Sequence, residues 1–185
     1  MSPEVYSIDL TVERSSIPDV LRGIIFGNLK PKEVDLLDIT YSAIDDPTIE
    51  RAIEDKIQQF MKNLEIQNSQ SGKIAVMFHE KRTKKGWLGK TEEEICWEQW
   101  AITINIVNYN SNTERERLIV HKEMAEQFYS CLFDIICYVN EKKDHIPPIT
   151  TSEANPFPYQ IFIPSTNDNW GSLLKKMLTE PPQPI

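Results

Sequence analysis

Apolar and polar residues alternate from Tyr6 to Val12: Tyr6, Ile8, Leu10 and Val12 share one face, and Ser7, Asp9 and Thr11 the other. A period of two with one apolar face predicts a half-buried strand over 5–12. Ser16-Ile17-Pro18 predicts a helix start, with serine as cap and proline in the first turn. Val20, Leu21, Ile24 and Ile25 give this helix its apolar side, and Gly27-Asn28 marks its end. Residues 34–44 predict a second strand. Asp46-Pro47 opens the next helix, whose stripe of Ile49, Ile53, Ile57, Phe60 and Leu64 steps by three or four residues. A turn at 68–72 follows, then strands over 73–82 and 96–107. These two predict a hairpin with an elongated, basic, glycine-containing tip.

Thr113-Glu114-Arg115-Glu116 has the form of a capping box and opens the longest helix, to about Asn140. Its first stripe is Leu118, Ala125, Phe128, Leu132, Ile135 and Val139, and His121 is expected on that apolar side as a core histidine. Tyr129, Phe133, Ile136 and Tyr138 add a surplus. A helix apolar nearly all round is buried on several sides or covers its extra face with a partner. Extended chain at 146–149, a strand at 159–163 and a helix carrying Trp170, Leu173, Leu174 and Met177 complete the order, with a frayed tail at 181–185. Strands outnumber simple crossovers. The order therefore predicts one α+β domain over 1–185, with a mixed, largely antiparallel sheet backed by three main helices.

Composition narrows the function. Hydrophobic residues at 40% and charged residues at 26% fit a globular chain rather than a disordered one. The net charge of −8 disfavours non-specific binding to nucleic acid or anionic lipid. No apolar run reaches the roughly 20 residues of a membrane span, and Met-Ser-Pro-Glu-Val begins no secretory leader. Three cysteines without framework spacing fit a reducing, cytoplasmic setting.

Chemistry is sparse. His79, His121 and His145 lie at no metal-ligand spacing from one another or from Cys96, Cys131 and Cys137. Cys131 and Cys137 are separated by about 240° around their helix, too far to share a ligand. No phosphate-binding loop or dinucleotide fingerprint appears. No catalytic residue, cofactor or metal is therefore expected, and a cysteine-dependent enzyme is the remaining catalytic alternative. Lys81-Arg82-Thr83-Lys84-Lys85 reads as a solvated hairpin tip, but Trp87-Leu88 between Gly86 and Gly89 is unexplained by that reading. An aromatic in such a place suits a binding anchor as well as it suits local burial.

Ile95-Cys96-Trp97-Glu98-Gln99-Trp100, followed by the alternating strand to Val107, resembles the autophagy-related protein 101 family. Ile146-Pro147, Thr151-Ser152-Glu153 and Pro158-Tyr159-Gln160-Ile161-Phe162-Ile163 extend the resemblance over essentially the whole chain. It implies a HORMA fold and a non-enzymatic subunit of the autophagy-initiation kinase complex, working at the cytoplasmic site of autophagosome assembly. It implies a heterodimer with the HORMA domain of autophagy-related protein 13, contacts with the other subunits of that complex, and a finger that recruits downstream factors. Trp87 matches the finger's tryptophan, and Leu88 stands where the family has a second aromatic. The expected partner face on the long helix is Tyr129, Phe133 and Tyr138. About 45 residues follow that helix, short for the safety belt with which HORMA proteins of the spindle-checkpoint type, the alternative within this fold, enclose a peptide.

Overall fold

The structure is a computed structural model and describes residues 3–25, 31–37, 39–44, 46–86, 89–107, 113–149 and 157–164. Strand β1 spans Glu4–Glu13 with Tyr6, Ile8, Leu10 and Val12 buried, as the alternation requires. A 3-10 turn at Arg14–Ser16 leads directly into α1, Ile17–Ile25, which buries Ile17, Val20, Leu21 and Ile24. Helix α2 spans Pro47–Ile66. The Asp46 carboxylate accepts from the Thr48 N–H at 2.8 Å, and Pro47 fills a first-turn position where no N–H is needed. Its stripe faces inward, with Ile53, Ile57, Phe60 and Leu64 buried. The Arg22 guanidinium donates to Glu54 at 2.6 Å, tying α1 to α2.

Residues 34–44 are not one strand. They belong to a hairpin of β2, Pro31–Leu36, and β3, Ile39–Ile44, closed by the pair Leu36↔Ile39. Its two-residue connection begins with Leu37 at φ 52. Tight hairpins need positive φ, which asparagine or glycine normally announces. Leucine gives no such signal, so the apolar pattern reads straight through the turn.

Strands β4, Ser71–Gly86, and β5, Gly89–Val107, pair antiparallel throughout. The four-stranded sheet has the order β1-β5-β4-β6, with β6 at Tyr159–Phe162. β1 is parallel to β5, and the other two pairings are antiparallel. The expected loop at the hairpin tip is instead a ladder. From Glu80↔Ile95 to Gly86↔Gly89 the strands run on as a two-stranded ribbon for roughly 20 Å. Its base sets opposite charges across the strands, Lys81↔Glu94 and Arg82↔Glu93, whereas nearer the tip Lys84 lies opposite Thr91 and Lys85 opposite Lys90. Residues 87 and 88, between the closing glycines, lie outside the described residues, as do Gly27-Asn28, Thr151–Glu153, the expected helix around Trp170–Met177 and the tail.

Helix α3 spans Glu114–Glu141, and the Thr113 hydroxyl accepts from the Glu116 N–H. Its buried stripe is Val120, Met124, Phe128 and Cys131. The expected stripe is displaced around the axis: Leu118 is 63% exposed, and His121 is exposed rather than in the core. The three helices cover one face of the mixed sheet and enclose a core that includes Ile8, Phe60, Ile74, Ile102, Ile104 and Phe128. This is the α+β, HORMA-like arrangement expected.

Gly72 marks where α2 comes down on β4. A β-carbon there would sit 2.6 Å from one ring atom of Phe60 and 2.9 Å from Leu64 Cδ2. Gly72→Ala is therefore expected to cost about 1–3 kcal/mol by overpacking, read from chemical denaturation. A change below about 0.5 kcal/mol would mean that α2 yields at no cost.

Candidate interaction site

Helix α3 has two apolar sides. The first enters the core. The second carries Leu118, Tyr129, Phe133 and Ile136, all of them exposed. At about 100° per residue these four fall within about 60° of arc, roughly opposite Val120 and Cys131. Tyr129 and Phe133, at 61% and 56% exposure, meet no described ring. Nothing in a monomer's folding rewards this stripe, because apolar surface gains only when it leaves water.

Tyr138 stands apart from the other two expected partner residues. It projects toward the sheet side of α3, its ring 5.0 Å from Tyr6 and 6.4 Å from Trp100. Tyr6 and Trp100 stack at 4.5 Å. Lys142 Nζ lies over the Tyr6 ring and 2.6 Å from Glu4 Oε1. This contact raises the lysine pKa and lowers that of Glu4. These contacts fix the C-terminal end of α3 and hold the outward stripe on a rigid support.

The strand that carries the family resemblance does the same for the chain after α3. A bulge in β5 shifts register between Phe78↔Glu98 and His79↔Cys96, leaving Trp97 as the extra residue. Bulges turn consecutive side chains toward one side. Here both Trp97 and Glu98 reach His145: the rings of Trp97 and His145 are 5.5 Å apart, and His145 Nε2 is 2.8 Å from Glu98 Oε2. The Trp100 indole N–H donates to the other carboxylate oxygen at 2.7 Å. Trp97 also contacts Phe157 at 5.0 Å, and the His79 N–H donates to the Pro158 carbonyl at 2.8 Å. Glu98 and its neighbours are therefore a clamp rather than a reactive centre. Sequence reading found the motif but not its partner His145, because nothing local links positions 47 apart.

The two buried thiols, Cys96 and Cys131, are poorly suited to nucleophilic work. Burial pushes Cys96 up to about 11 and Cys131 up to about 12, which removes the thiolate that a cysteine enzyme needs. Among the described residues no three His, Cys, Asp or Glu side chains converge on a metal position, and no helix is long and apolar enough to cross a membrane.

Residues 9–153 match the family model described as autophagy-related protein 101, a span that runs from the second half of β1 through α3 to beyond the clamp histidine. The chain is 31% identical over 188 residues to the autophagy-related protein 101 of Arabidopsis thaliana, covering 87% of this chain and 86% of that protein. It is 26% identical over 183 residues to that of Schizosaccharomyces pombe, covering 94% of each. Similarity to the Homo sapiens protein is 24% over 120 residues, 64% of this chain and 53% of the relative.

Proposed function

Because the chain belongs to the autophagy-related protein 101 family, and so to the machinery of autophagy, we propose that it is a non-catalytic scaffold that pairs with the HORMA domain of autophagy-related protein 13. In this reading it serves the autophagy-initiation kinase complex at the cytoplasmic site of autophagosome assembly. The observation that carries the proposal is the outward stripe of α3, with Tyr129 and Phe133 exposed on a helix anchored at its end. Rigid aromatic side chains are the usual anchors of protein interfaces. The core thiols, raised by burial, favour this reading over a cysteine-dependent enzyme. Trp87 and Leu88 form a second, separate contact that recruits downstream factors from the end of the ribbon.

Mixing the purified chain with the HORMA domain of autophagy-related protein 13 tests the pairing. A partner that binds only the folded state stabilises it by mass action, by about 2.7 kcal/mol at a hundredfold excess over Kd. We expect a single co-eluting species and a melting temperature several degrees higher. A melting curve indifferent to saturating partner would overturn the reading.

A further inference from the structure

Past the pairs Glu4↔Glu98 and Phe78↔Tyr159, neither β1 nor β6 flanks the β4–β5 hairpin, and among the described strands only these two continue. The pair Lys85↔Lys90 next to the closing glycines therefore lies roughly 20 Å beyond the edge of the four-stranded sheet.

Charge is sorted along this ribbon. Its base balances Lys81 against Glu94 and Arg82 against Glu93, and Arg82 also forms an ion pair with Glu80. From Thr83 to Thr91 the sequence holds Lys84, Lys85 and Lys90 and no acid. With a net charge of −8 overall and +3 in this stretch, the rest of the chain carries −11. Lys85 and Lys90 are direct cross-strand partners on one face of the ribbon, and Lys84 takes the other face opposite the uncharged Thr91. Like charges directly opposite each other weaken a strand pair. A glutamate at either position would have continued the pattern of the base. The free fold gains nothing from this lysine pair, so its use lies outside the chain.

We propose that the ribbon tip docks on the surface of an anionic lipid bilayer, with Lys84, Lys85 and Lys90 set among the headgroups and the body of the domain held off the surface. The net charge disfavours anionic lipid for the chain as a whole, and the tip is the exception because of its distance. At physiological salt the Debye length is about 8 Å, so the charge of the body is screened over roughly two such lengths before it reaches the tip. Three lysines close to an anionic leaflet are together worth roughly a hundredfold in partitioning. They occupy both faces of the ribbon and only its end, which suits a plane met end-on better than a protein segment lying along one face. The connecting sequence has matching chemistry: Trp87 and Leu88 are the residue types that favour the membrane–water interface beside lysine.

The test mixes the full chain, without a protein partner, with sedimenting phosphatidylcholine vesicles that contain phosphatidylserine at about 30%, a strongly anionic surface. Binding is expected to these vesicles and to be at least about tenfold weaker to pure phosphatidylcholine. Raising the salt from about 0.1 M to about 0.5 M is expected to weaken it at least about tenfold. The triple variant Lys84→Glu, Lys85→Glu, Lys90→Glu is expected to lose at least about tenfold in partitioning, with the glutamine triple variant falling between it and the native chain. The same charge change placed away from the ribbon, Lys62→Glu, Lys122→Glu, Lys143→Glu, is expected to cost less than about threefold, because screening confines the effect to charges near the surface. No binding to the anionic vesicles, equal binding to the neutral ones, an unchanged glutamine or glutamate tip variant, or an equal loss in the distant variant would each overturn the proposal. Capture of a hexaglutamate peptide without vesicle binding would also overturn it and assign the tip to an acidic protein segment. Phe133→Asp is expected to bind vesicles as the native chain does, which separates this contact from the pairing surface, and loss of binding there would assign the effect to α3 instead.

Discussion

Phe133→Asp is expected to weaken pairing with the autophagy-related protein 13 HORMA domain by at least about thirtyfold, while the free chain melts within about 2 °C of the native protein. The two halves of this expectation have separate causes. Phe133 is 56% exposed on the outward side of α3, so the monomer gains little from it. Substitutions at such positions usually change stability by no more than about 0.5 kcal/mol. At the centre of an interface the same side chain is worth about 2 kcal/mol or more, which is roughly thirtyfold in affinity. Phe128 supplies the contrast. It lies one turn away on the inner stripe at 1% exposure, and Phe128→Ala is expected to cost about 3–5 kcal/mol of folding free energy. Titration calorimetry and thermal melts on both variants resolve the two sides of the helix. Undiminished affinity in a folded Phe133→Asp protein would move the partner surface elsewhere. Tyr138 is unsuitable for this test, because its ring packs on Tyr6 and Trp100 and its loss would disturb the anchor as well.

Legibility in the sequence followed the number of faces each element buries. β1 and α2 each have one apolar face, and their periodicity named the buried residues correctly, Tyr6 to Val12 and Ile53 to Leu64. α3 is apolar on two sides, and periodicity does not say which stripe meets the core. The inward stripe is Val120, Met124, Phe128 and Cys131, which left Leu118 and His121 outside. Turn chemistry hid the β2–β3 hairpin, because Leu37 takes a positive φ without glycine or asparagine to mark it. The ribbon was hidden for a different reason. Lys81 and Arg82 look like loop residues alone, and their reason for being in a strand is Glu94 and Glu93 across the ladder. The outward aromatics Tyr129 and Phe133 were readable as a surplus. That Tyr138 belongs to the anchor needed the coordinates of Tyr6.

Glu98→Ala is expected to destabilise the fold by about 2–4 kcal/mol and to speed amide exchange across residues 142–149. Glu98 is nearly buried, and its two carboxylate oxygens are both engaged, one by the Trp100 indole N–H at 2.7 Å and one by His145 Nε2 at 2.8 Å. Alanine leaves two polar groups without their partner in a poorly solvated place, at about 1–3 kcal/mol each before any relaxation. The indole of Trp100 is held in the core and has nowhere to go. His145 is free to swing out on its short segment, and its departure would also uncover one face of Trp97, whose ring it contacts at 5.5 Å. The cost is therefore expected to be shared between a lower unfolding midpoint and a locally opened segment after α3. Glu98→Gln keeps the shape and one acceptor, so it should lose less than half as much. Denaturant unfolding with hydrogen exchange on the three proteins decides the matter. If Glu98→Ala stays within about 0.5 kcal/mol of the native chain, with 142–149 as protected as before, the clamp does not hold this segment, and Lys142–Glu4 with the Tyr138–Tyr6 ring contact must carry it alone.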